Sequence, residues 1–250
     1  MPDPDFPPSH HALQEPNGLL AIGGDLSPQR LLRAYSRGIF PWFSHNEPVL
    51  WWSPDPRAIL IPNEFKISKS LSKSLKNRRY ELTVNSEFKS VMAGCAAKRQ
   101  HQDGTWIVPE MMAAYETLHD LGFAHSIEVW LNGGLAGGLY GVSLGRVFFG
   151  ESMFSLQRDS SKTALAGLAW LGRMGYFEVI DCQVESAHLT SLGARTMDRP
   201  AFERLLADAI TGDMDRVYQI VEKGEQAPGR VPNWCGALPL QAHDLMEGLL

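Results

Sequence analysis

Acidic side chains occur inside two apolar segments of this chain, where an ionised group is costly unless it has a purpose. Glu151 lies in Phe-Phe-Gly-Glu-Ser-Met-Phe-Ser, residues 148–155, and Asp181 lies in Val-Ile-Asp-Cys-Gln-Val, residues 179–184. In a strand, residues two apart share a face, so Asp181 and Gln183 are expected to point the same way and Cys182 the opposite way. A buried carboxylate needs a compensating partner. Pairing with a cationic substrate would explain both placements.

A purely structural interpretation of these acids stays open, because a lone acid near the end of a strand is often a hydrogen-bond acceptor. Glu151 and the pair Asp181 and Gln183 fall on adjacent predicted core strands, which favours a shared site. Cys182 is a poor candidate nucleophile, because no histidine lies near it in sequence and it is expected to face away from Asp181. Buried filler is the expected role for Cys182.

Positive charge is concentrated in residues 65–80, although the whole chain has a net charge of −5. This segment has six cations and no carboxylate, and without it the chain has 17 basic against 28 acidic residues. Its lysines recur at helical spacing opposite Ile67, Leu71 and Leu75, which predicts an amphipathic helix over 66–76. Such a stripe is either a solvated face or a contact for a polyanion, and the charge contrast favours nucleic acid. The cations are Lys66, Lys69, Lys73, Lys76, Arg78 and Arg79.

Composition narrows the class of protein. Apolar residues make up 44% of the 250 residues, as in a packed globular chain, and no run approaches the ~20 residues of a membrane span. The first residues lack the features of a signal peptide, so we expect a cytoplasmic protein with no membrane contact. Three cysteines without a C-x-x-C pair and eight histidines without H-E-x-x-H predict no disulfide framework and no metal.

The elements that must position these residues follow from periodicity. A small N-terminal domain rich in tryptophan and proline is expected over 1–62, with a larger domain over 63–250. In the larger domain a period of two predicts a three-stranded meander, followed by helix, strand and helix. That order predicts an α+β fold of the acetyltransferase (GNAT-like) type, with a mainly antiparallel sheet flanked by helices. The meander strands are expected at 125–131, 135–143 and 146–154, the helix at 161–173, the next strand at 177–184, and a loose tail at 240–250.

An ordered set of motifs over about residues 15–211 resembles the leucyl/phenylalanyl-tRNA–protein transferase family. Short pieces such as Gly23-Gly24-Asp25 are weak alone, whereas the whole set in order is specific. The set includes Arg37-Gly38-Ile39-Phe40-Pro41-Trp42, Trp51-Trp52-Ser53-Pro54-Asp55-Pro56-Arg57, Gly104-Thr105-Trp106-Ile107, Phe149-Gly150-Glu151-Ser152-Met153-Phe154, Ser161-Lys162-Thr163-Ala164-Leu165 and Ile180-Asp181-Cys182-Gln183. Ser160 departs from the alanine more usual there, and the tail after residue 240 is longer than usual.

The resemblance implies an activity and a set of site residues. The activity is transfer of Leu, Phe or, less well, Met from aminoacyl-tRNA to proteins that begin with Arg or Lys, which marks them for N-end rule degradation. It implies no cofactor, and we expect a monomer. By motif, Asp181 and Gln183 take the catalytic positions and Glu151 the acidic position of the acceptor site. The positions near the aminoacyl pocket are Trp42, Trp106, Leu139, Phe148, Met153 and Leu165.

A reaction scheme follows as a hypothesis. Gln183 holds the attacking nitrogen, Asp181 orients Gln183, and Glu151 pairs with the cation of the incoming N-terminus. Because a neutral amide cannot keep a proton, water or a ribose hydroxyl completes the relay.

Two rival functions are distinguishable from this one. A coenzyme A-dependent N-acetyltransferase would need an R-x-x-G-x-G/A cradle, and residues 157–162 contain no glycine. A non-catalytic module that binds basic N-termini would need Glu151 but not the cations of residues 65–80.

Overall fold

The computed structural model describes residues 6–99, 107–210, 214–224 and 240–249 of the chain. Its strands are β1 Leu19–Ile22, β2 Phe40–Pro41, β3 Leu50–Trp52, β4 Arg57–Leu60, β5 Glu81–Val84, β6 Ala124–Leu131, β7 Gly134–Leu144, β8 Val147–Ser155, β9 Val179–Gln183, β10 Arg195–Met197 and β11 Leu240–Gln241. Its helices are α1 Pro28–Ser36, α2 Lys69–Asn77, α3 Phe88–Arg99, α4 Pro109–Asp120, α5 Ser160–Arg173, α6 Ala187–Thr190, α7 Arg199–Ala209, α8 Met214–Lys223 and α9 Leu245–Leu249.

The strands form two sheets. Strands β1, β3 and β2 form a small sheet in that order, and the larger sheet has the order β10-β4-β9-β8-β7-β6-β5-β11. Pairing in the larger sheet is antiparallel except between β8 and β9, where α5 provides the crossover that parallel strands require. The predicted α+β class with a mainly antiparallel sheet flanked by helices is therefore confirmed.

The predicted meander is confirmed, with β7 paired to β6 on one side and β8 on the other. The turn between β6 and β7 is Asn132-Gly133, with φ values of 52° and 77°. Positive φ at both central residues is what a type I′ hairpin needs, and asparagine and glycine are the residues that tolerate it best. The sequence therefore determines this hairpin locally.

Two irregularities in the larger sheet lie next to the acidic residues. In β8, Gly150 pairs with Gly141 and Ser152 with Tyr140, so Glu151 is the extra residue of a bulge. In β9, Asp181 pairs with Ile59 and Gln183 with Ala58, so Cys182 is an extra residue too. Bulges re-aim side chains and are frequent beside active sites.

Buried side chains form two clusters on opposite faces of the larger sheet. Adjacent residues of one strand separate between them: Tyr140 and Phe149 belong to the first cluster, whereas Leu139 and Phe148 belong to the second. The first cluster includes side chains of α1, α3 and α4, and the second includes those of α2, α5 and α9. The larger sheet thus lies between two buried layers, and its strands present side chains to both.

The division predicted at residue 62 stays a prediction. β4, which precedes it, lies inside the larger sheet between β10 and β9. Side chains of α1 also share the first buried cluster with those of α4.

Two local expectations were wrong. The basic helix begins at Lys69 rather than at residue 66, because Ser68 caps it by accepting a 3.2 Å hydrogen bond from Leu71 N. The expected loose tail over 240–250 instead contains β11, which pairs with β5, and α9, whose apolar side chains Leu245 and Leu249 are buried in the second cluster. Burial of this apolar surface is the physical reason that the end of the chain is held in place.

Candidate active site

A cavity of about 290 Å³ opens where β8 and β9 stop pairing. The last pair between them is Phe149 with Asp181, and both strands continue beyond it. The walls are mainly apolar, while the carboxylates and the amide predicted from the sequence lie at and just beyond this last pair. The lining residues are Phe40, Pro41, Trp42, Leu139, Tyr140, Gly150, Glu151, Ser152, Met153, Leu165, Leu168, Ile180, Asp181, Cys182, Gln183, Val184 and Leu189.

Asp181 is compensated by a cation of the protein itself. Arg57 Nε donates to Asp181 Oδ1 at 2.8 Å and Arg57 Nη2 donates to Oδ2 at 2.6 Å, with both side chains buried. Arg57 also donates to the carbonyl oxygen of Gly38 and lies over the rings of Phe40 and Phe202. The expectation that a cationic substrate explains the burial of Asp181 was therefore wrong. A forked guanidinium satisfies this carboxylate in a bidentate pair.

Gln183 connects the two carboxylates. Its backbone N donates to Asp181 Oδ1 at 2.9 Å, and its side-chain Nε2 donates to Glu151 Oε1 at 2.9 Å. The backbone of Gln183 has a φ of 63°, a left-handed conformation that non-glycine residues seldom adopt. Strain of this kind persists where surrounding contacts hold it, and it clusters at functional sites. The strict alternation expected over 181–183 was wrong, because the bulge lets Cys182 line the cavity together with its neighbours.

Glu151 is buried among neutral hydrogen-bond donors. Tyr35 Oη donates to Oε1 at 2.7 Å, Tyr115 Oη donates to Oε2 at 2.9 Å, and the two hydroxyls contact each other. Burial raises the pKa of Glu151 to about 7, although the hydrogen bonds from Tyr35 and Tyr115 act in the opposite direction. Burial also holds the pKa of each tyrosine well above its usual value. Glu151 thus titrates near neutral pH while both tyrosines stay protonated.

Most of the residues predicted for an aminoacyl pocket lie together. Leu139, Met153, Leu165 and Trp42 all line the cavity, and Trp42 is exposed at its edge. Phe148 is fully buried in the second cluster and does not line the cavity.

Trp106 lies outside the described residues. Cys182 is no better a nucleophile than its sequence indicated, because burial raises the pKa of its thiol.

Three site residues were missed by sequence reasoning. Arg57 could have been predicted from the sequence, because it begins the apolar segment Arg-Ala-Ile-Leu. A cation buried in such a strand needs an acidic partner as much as Asp181 needs a basic one. Tyr35 and Tyr115 had none, because they approach Glu151 from helices α1 and α4, far away in the sequence.

Three of the predicted basic residues, Lys69, Lys73 and Arg78, border a second cavity of about 470 Å³ between α2 and the residues just before α5. Among the described residues, no carboxylate pairs with any of the six cations of residues 65–80. Ser74 Oγ donates to Asp159 Oδ2 at 2.6 Å, which ties α2 to α5. We call this cavity the basic groove. Its lining residues are Lys69, Ser70, Lys73, Ser74, Asn77, Arg78 and Arg158, of which Arg158 was not predicted.

Lys66, Lys76 and Arg79 are exposed on the same segment but do not line the basic groove.

The described residues show no cluster of metal ligands and no membrane-spanning helix. Within residues 6–99, 107–210, 214–224 and 240–249, no three His, Cys, Asp or Glu side chains are grouped as metal ligands would be. Across the same part of the chain, no helix has the length and apolar character needed to cross a bilayer. The expectation of no cofactor stays a prediction.

The fold and the cavity define an α+β protein whose apolar pocket ends on a hydrogen-bonded carboxylate and amide. Two family models match the chain. Residues 59–207 match the leucyl/phenylalanyl-tRNA protein transferase model, and residues 24–55 match the model of that family's N-terminal domain. The chain belongs to the leucyl/phenylalanyl-tRNA protein transferase family and is a transferase enzyme.

Three similar proteins have the name leucyl/phenylalanyl-tRNA–protein transferase. The one from Chromobacterium violaceum is 56% identical over 209 residues, which is 84% of this chain and 90% of that protein. The one from Nitrosospira multiformis is 53% identical over 231 residues, 92% of this chain and 93% of that protein. The one from Nitrosomonas europaea is 58% identical over 219 residues, 86% and 92% of the two chains.

Solved structures give a more distant similarity. An aminoglycoside acetyltransferase from a soil metagenomic sample is 14% identical, with a TM-score of 0.34 over 54% of this chain and 93% of that one. A ribosomal-protein-alanine N-acetyltransferase from Brucella melitensis is 12% identical, with the same TM-score and coverage. Scores this low indicate nothing about function.

Proposed function

We propose that this enzyme transfers Leu, Phe and, less well, Met from aminoacyl-tRNA to the α-amine of proteins that begin with Arg or Lys. The product is marked for N-end rule degradation, and the reaction takes place in the cytoplasm on a monomeric enzyme. The observation that carries the proposal is the apolar cavity that ends on Glu151 and Gln183. An apolar side chain and an amine are the two groups that such a site must bring together.

The chemistry requires position more than it requires a strong base. The donor is an activated ester, and an α-amine with a reference pKa of 7.7–8.0 is already roughly a tenth neutral at pH 7. Holding the two reactants in attack geometry is worth ~7–11 kcal/mol. No cofactor is needed for such a step.

Gln183 is suited to hold the attacking nitrogen. Its Nε2 is committed to Glu151, and among the described residues no donor contacts its amide oxygen. That oxygen therefore accepts a hydrogen bond from the incoming amine. Asp181 positions Gln183 through the backbone N–H rather than by removing a proton, since Arg57 occupies both of its oxygens.

The donor side chain occupies the apolar part of the cavity. An apolar pocket separates side chains that differ by one methylene by only ~1–3 kcal/mol, so acceptance of Leu, Phe and Met together is expected. The flexible thioether of Met153 suits several unbranched shapes. Rejection of Ile and Val then requires a steric clash at the β-carbon.

The basic groove is suited to the phosphates of the tRNA. Lys69 and Lys73 line it and are exposed, and no carboxylate competes for them in the described part of the chain. Exposed cations of this kind bind phosphates with an affinity that falls as the salt concentration rises. The groove reaches the β8–α5 connection through Arg158, while the cavity is lined by Met153 and Leu165 on either side of that connection.

A transfer assay tests the proposal. Purified enzyme is mixed with labelled Leu-tRNA and with either of two peptides that differ only in beginning with Arg or Ala. Label on the Arg peptide alone, lost after ribonuclease treatment of the donor, is the expected result. Label on neither peptide would refute transferase activity toward this acceptor class, and equal label on both would refute the acceptor preference.

A further inference from the structure

Glu151 and Asp181, the two carboxylates of the cavity, differ in the donors that surround them. Asp181 accepts two hydrogen bonds from the guanidinium of Arg57, a bidentate pair with a cation. Glu151 receives only neutral donors among the described residues: Tyr35, Tyr115 and Gln183. A carboxylate without a cation gains and loses a proton more readily than one inside an ion pair. The proton-exchanging group of this site is therefore Glu151.

The hydrogen bonds also leave room for a proton on Glu151. Its Oε1 accepts from Tyr35 and Gln183, whereas its Oε2 accepts from Tyr115 alone. A carboxylate oxygen has two lone pairs, so Oε2 keeps one acceptor position. Because Gln183 bridges Glu151 to the position proposed for the attacking nitrogen, this carboxylate lies next to the nitrogen that must lose a proton.

We propose that Glu151 is the catalytic residue that takes the proton from the attacking amine and delivers it to the ribose oxygen, with Tyr35 and Tyr115 as its positioning residues. The inference rests on the proposed function. The neutral amine attacks the ester carbonyl carbon, a C–N bond forms, and the nitrogen becomes positively charged. One proton then passes from that nitrogen to Glu151. As the C–O bond breaks, Glu151 gives the proton to the ribose oxygen and is ionised again.

The surroundings of Glu151 match this role. Tyr35 of α1 and Tyr115 of α4 face it directly, and Asp181 of β9 lies behind Gln183 with its charge balanced by Arg57 of β4. Burial raises the pKa of Glu151 to about 7, and proton transfer is most efficient when the pKa of the carrier lies near the working pH. The two hydroxyls donate to the ionised form, so removing either one raises that pKa further.

The test is the pH dependence of kcat with saturating donor and acceptor. Glu151 accepts a proton only when ionised, so kcat rises with pH through its pKa in the native enzyme. In Tyr35→Phe and in Tyr115→Phe the rising limb is expected to move upward by about one pH unit. Tyr80→Phe is the matched control, since it removes a buried hydroxyl that donates to Arg158 O in the second cluster, and its limb stays in place.

The titration of the acceptor amine also makes kcat rise with pH. The variant Glu151→Gln is therefore needed to show whether Glu151 carries the proton. We expect kcat to fall by about 10²–10⁴-fold with KM for the peptide little changed. A Glu151→Gln enzyme that keeps the native kcat, or Tyr variants whose limbs stay where the native limb lies, would overturn the proton-carrier role. A larger KM with unchanged kcat would mean that Glu151 only binds the cationic N-terminus. A native enzyme that transfers nothing to the Arg peptide refutes the proposed function instead.

An infrared difference spectrum between the native protein and Glu151→Gln measures the titration of the Glu151 carboxyl without any substrate. A protonated carboxyl band that disappears as the pH rises through about 7 is expected, and it should persist to higher pH in Tyr35→Phe. A band that has already disappeared when the pH reaches 5 would contradict the role.

Discussion

The charged side chains of the cavity and of the basic groove differ in burial and in hydrogen bonding. In the cavity, Asp181 and Glu151 are buried and every carboxylate oxygen accepts at least one hydrogen bond from a side chain or the backbone. In the basic groove, Lys69 and Lys73 are exposed and the described residues offer them no carboxylate. The polar groups of the cavity are already hydrogen-bonded to one another, whereas Lys69 and Lys73 have no carboxylate partner in the described part of the chain and would gain one from a ligand.

This difference indicates a division of labour along one chain. Short-range hydrogen bonds in a low-dielectric site fix reacting atoms, and their loss costs several kcal/mol. Exposed cations act at longer range, are screened by salt, and contribute in small increments. Changes in the cavity should therefore affect stability and turnover, and changes in the groove should affect tRNA affinity and its salt dependence.

The largest effect is expected for Asp181→Ala. This change leaves Arg57 buried without its partner, so the free energy of unfolding should fall by about 3–5 kcal/mol, measured by denaturant titration. Turnover should fall as well, because Gln183 N loses its acceptor. KM for aminoacyl-tRNA should stay unchanged.

A matched double variant sharpens this prediction. Replacing both partners, Arg57→Met with Asp181→Leu, removes the charges together and should recover much of the lost stability without recovering turnover. Full turnover in the double variant would mean that the ion pair has no part in positioning Gln183.

A smaller effect is expected for Lys69→Glu combined with Lys73→Glu. KM for aminoacyl-tRNA should increase, and the slope of log affinity against log salt should become shallower by roughly 0.7–0.9 for each lost phosphate contact. Stability should change little, because both side chains are exposed. Lys223→Glu on α8, outside the groove, changes the charge by as much as either single substitution and serves as control. Identical salt slopes for both variants would make the groove a solvated face.

The smallest effect is expected for Ser74→Ala, which tests the link between groove and α5. It removes the hydrogen bond to Asp159 and should lower the free energy of unfolding by about 1 kcal/mol. Ser70→Ala, on the exposed side of the same helix, is the control and should stay within about 0.5 kcal/mol of the native protein. A loss in Ser70→Ala as large as in Ser74→Ala would show that the link to Asp159 contributes nothing specific.

Much of the site was accessible from the sequence because its polar residues interrupt apolar strands. Glu151, Asp181 and Gln183 were predicted to share a site, and the structure brings them within hydrogen-bond distance of one another through Gln183. The hairpin at Asn132 was accessible for a different reason, since its geometry depends on two adjacent residues.

The rest depends on contacts that local patterns do not encode. Tyr35 and Tyr115 reach Glu151 only after α1 and α4 pack on the sheet, and nothing in their own segments marks them. The bulge at Cys182 is set by pairing with β4, so strict alternation failed there. Arg57 could have been predicted had the buried cation been weighed like the buried acids.

The proposed function requires that the apolar cavity where β8 and β9 stop pairing holds the aminoacyl side chain with its carbonyl next to Gln183 and Glu151. The most direct measurement is a crystal structure with phenylalanyl-adenosine in which an amide replaces the reactive ester. The benzyl group is expected between Leu139, Met153 and Leu165, with the carbonyl carbon on the side of Gln183. A well-defined analogue bound elsewhere, with that cavity left empty, would contradict it.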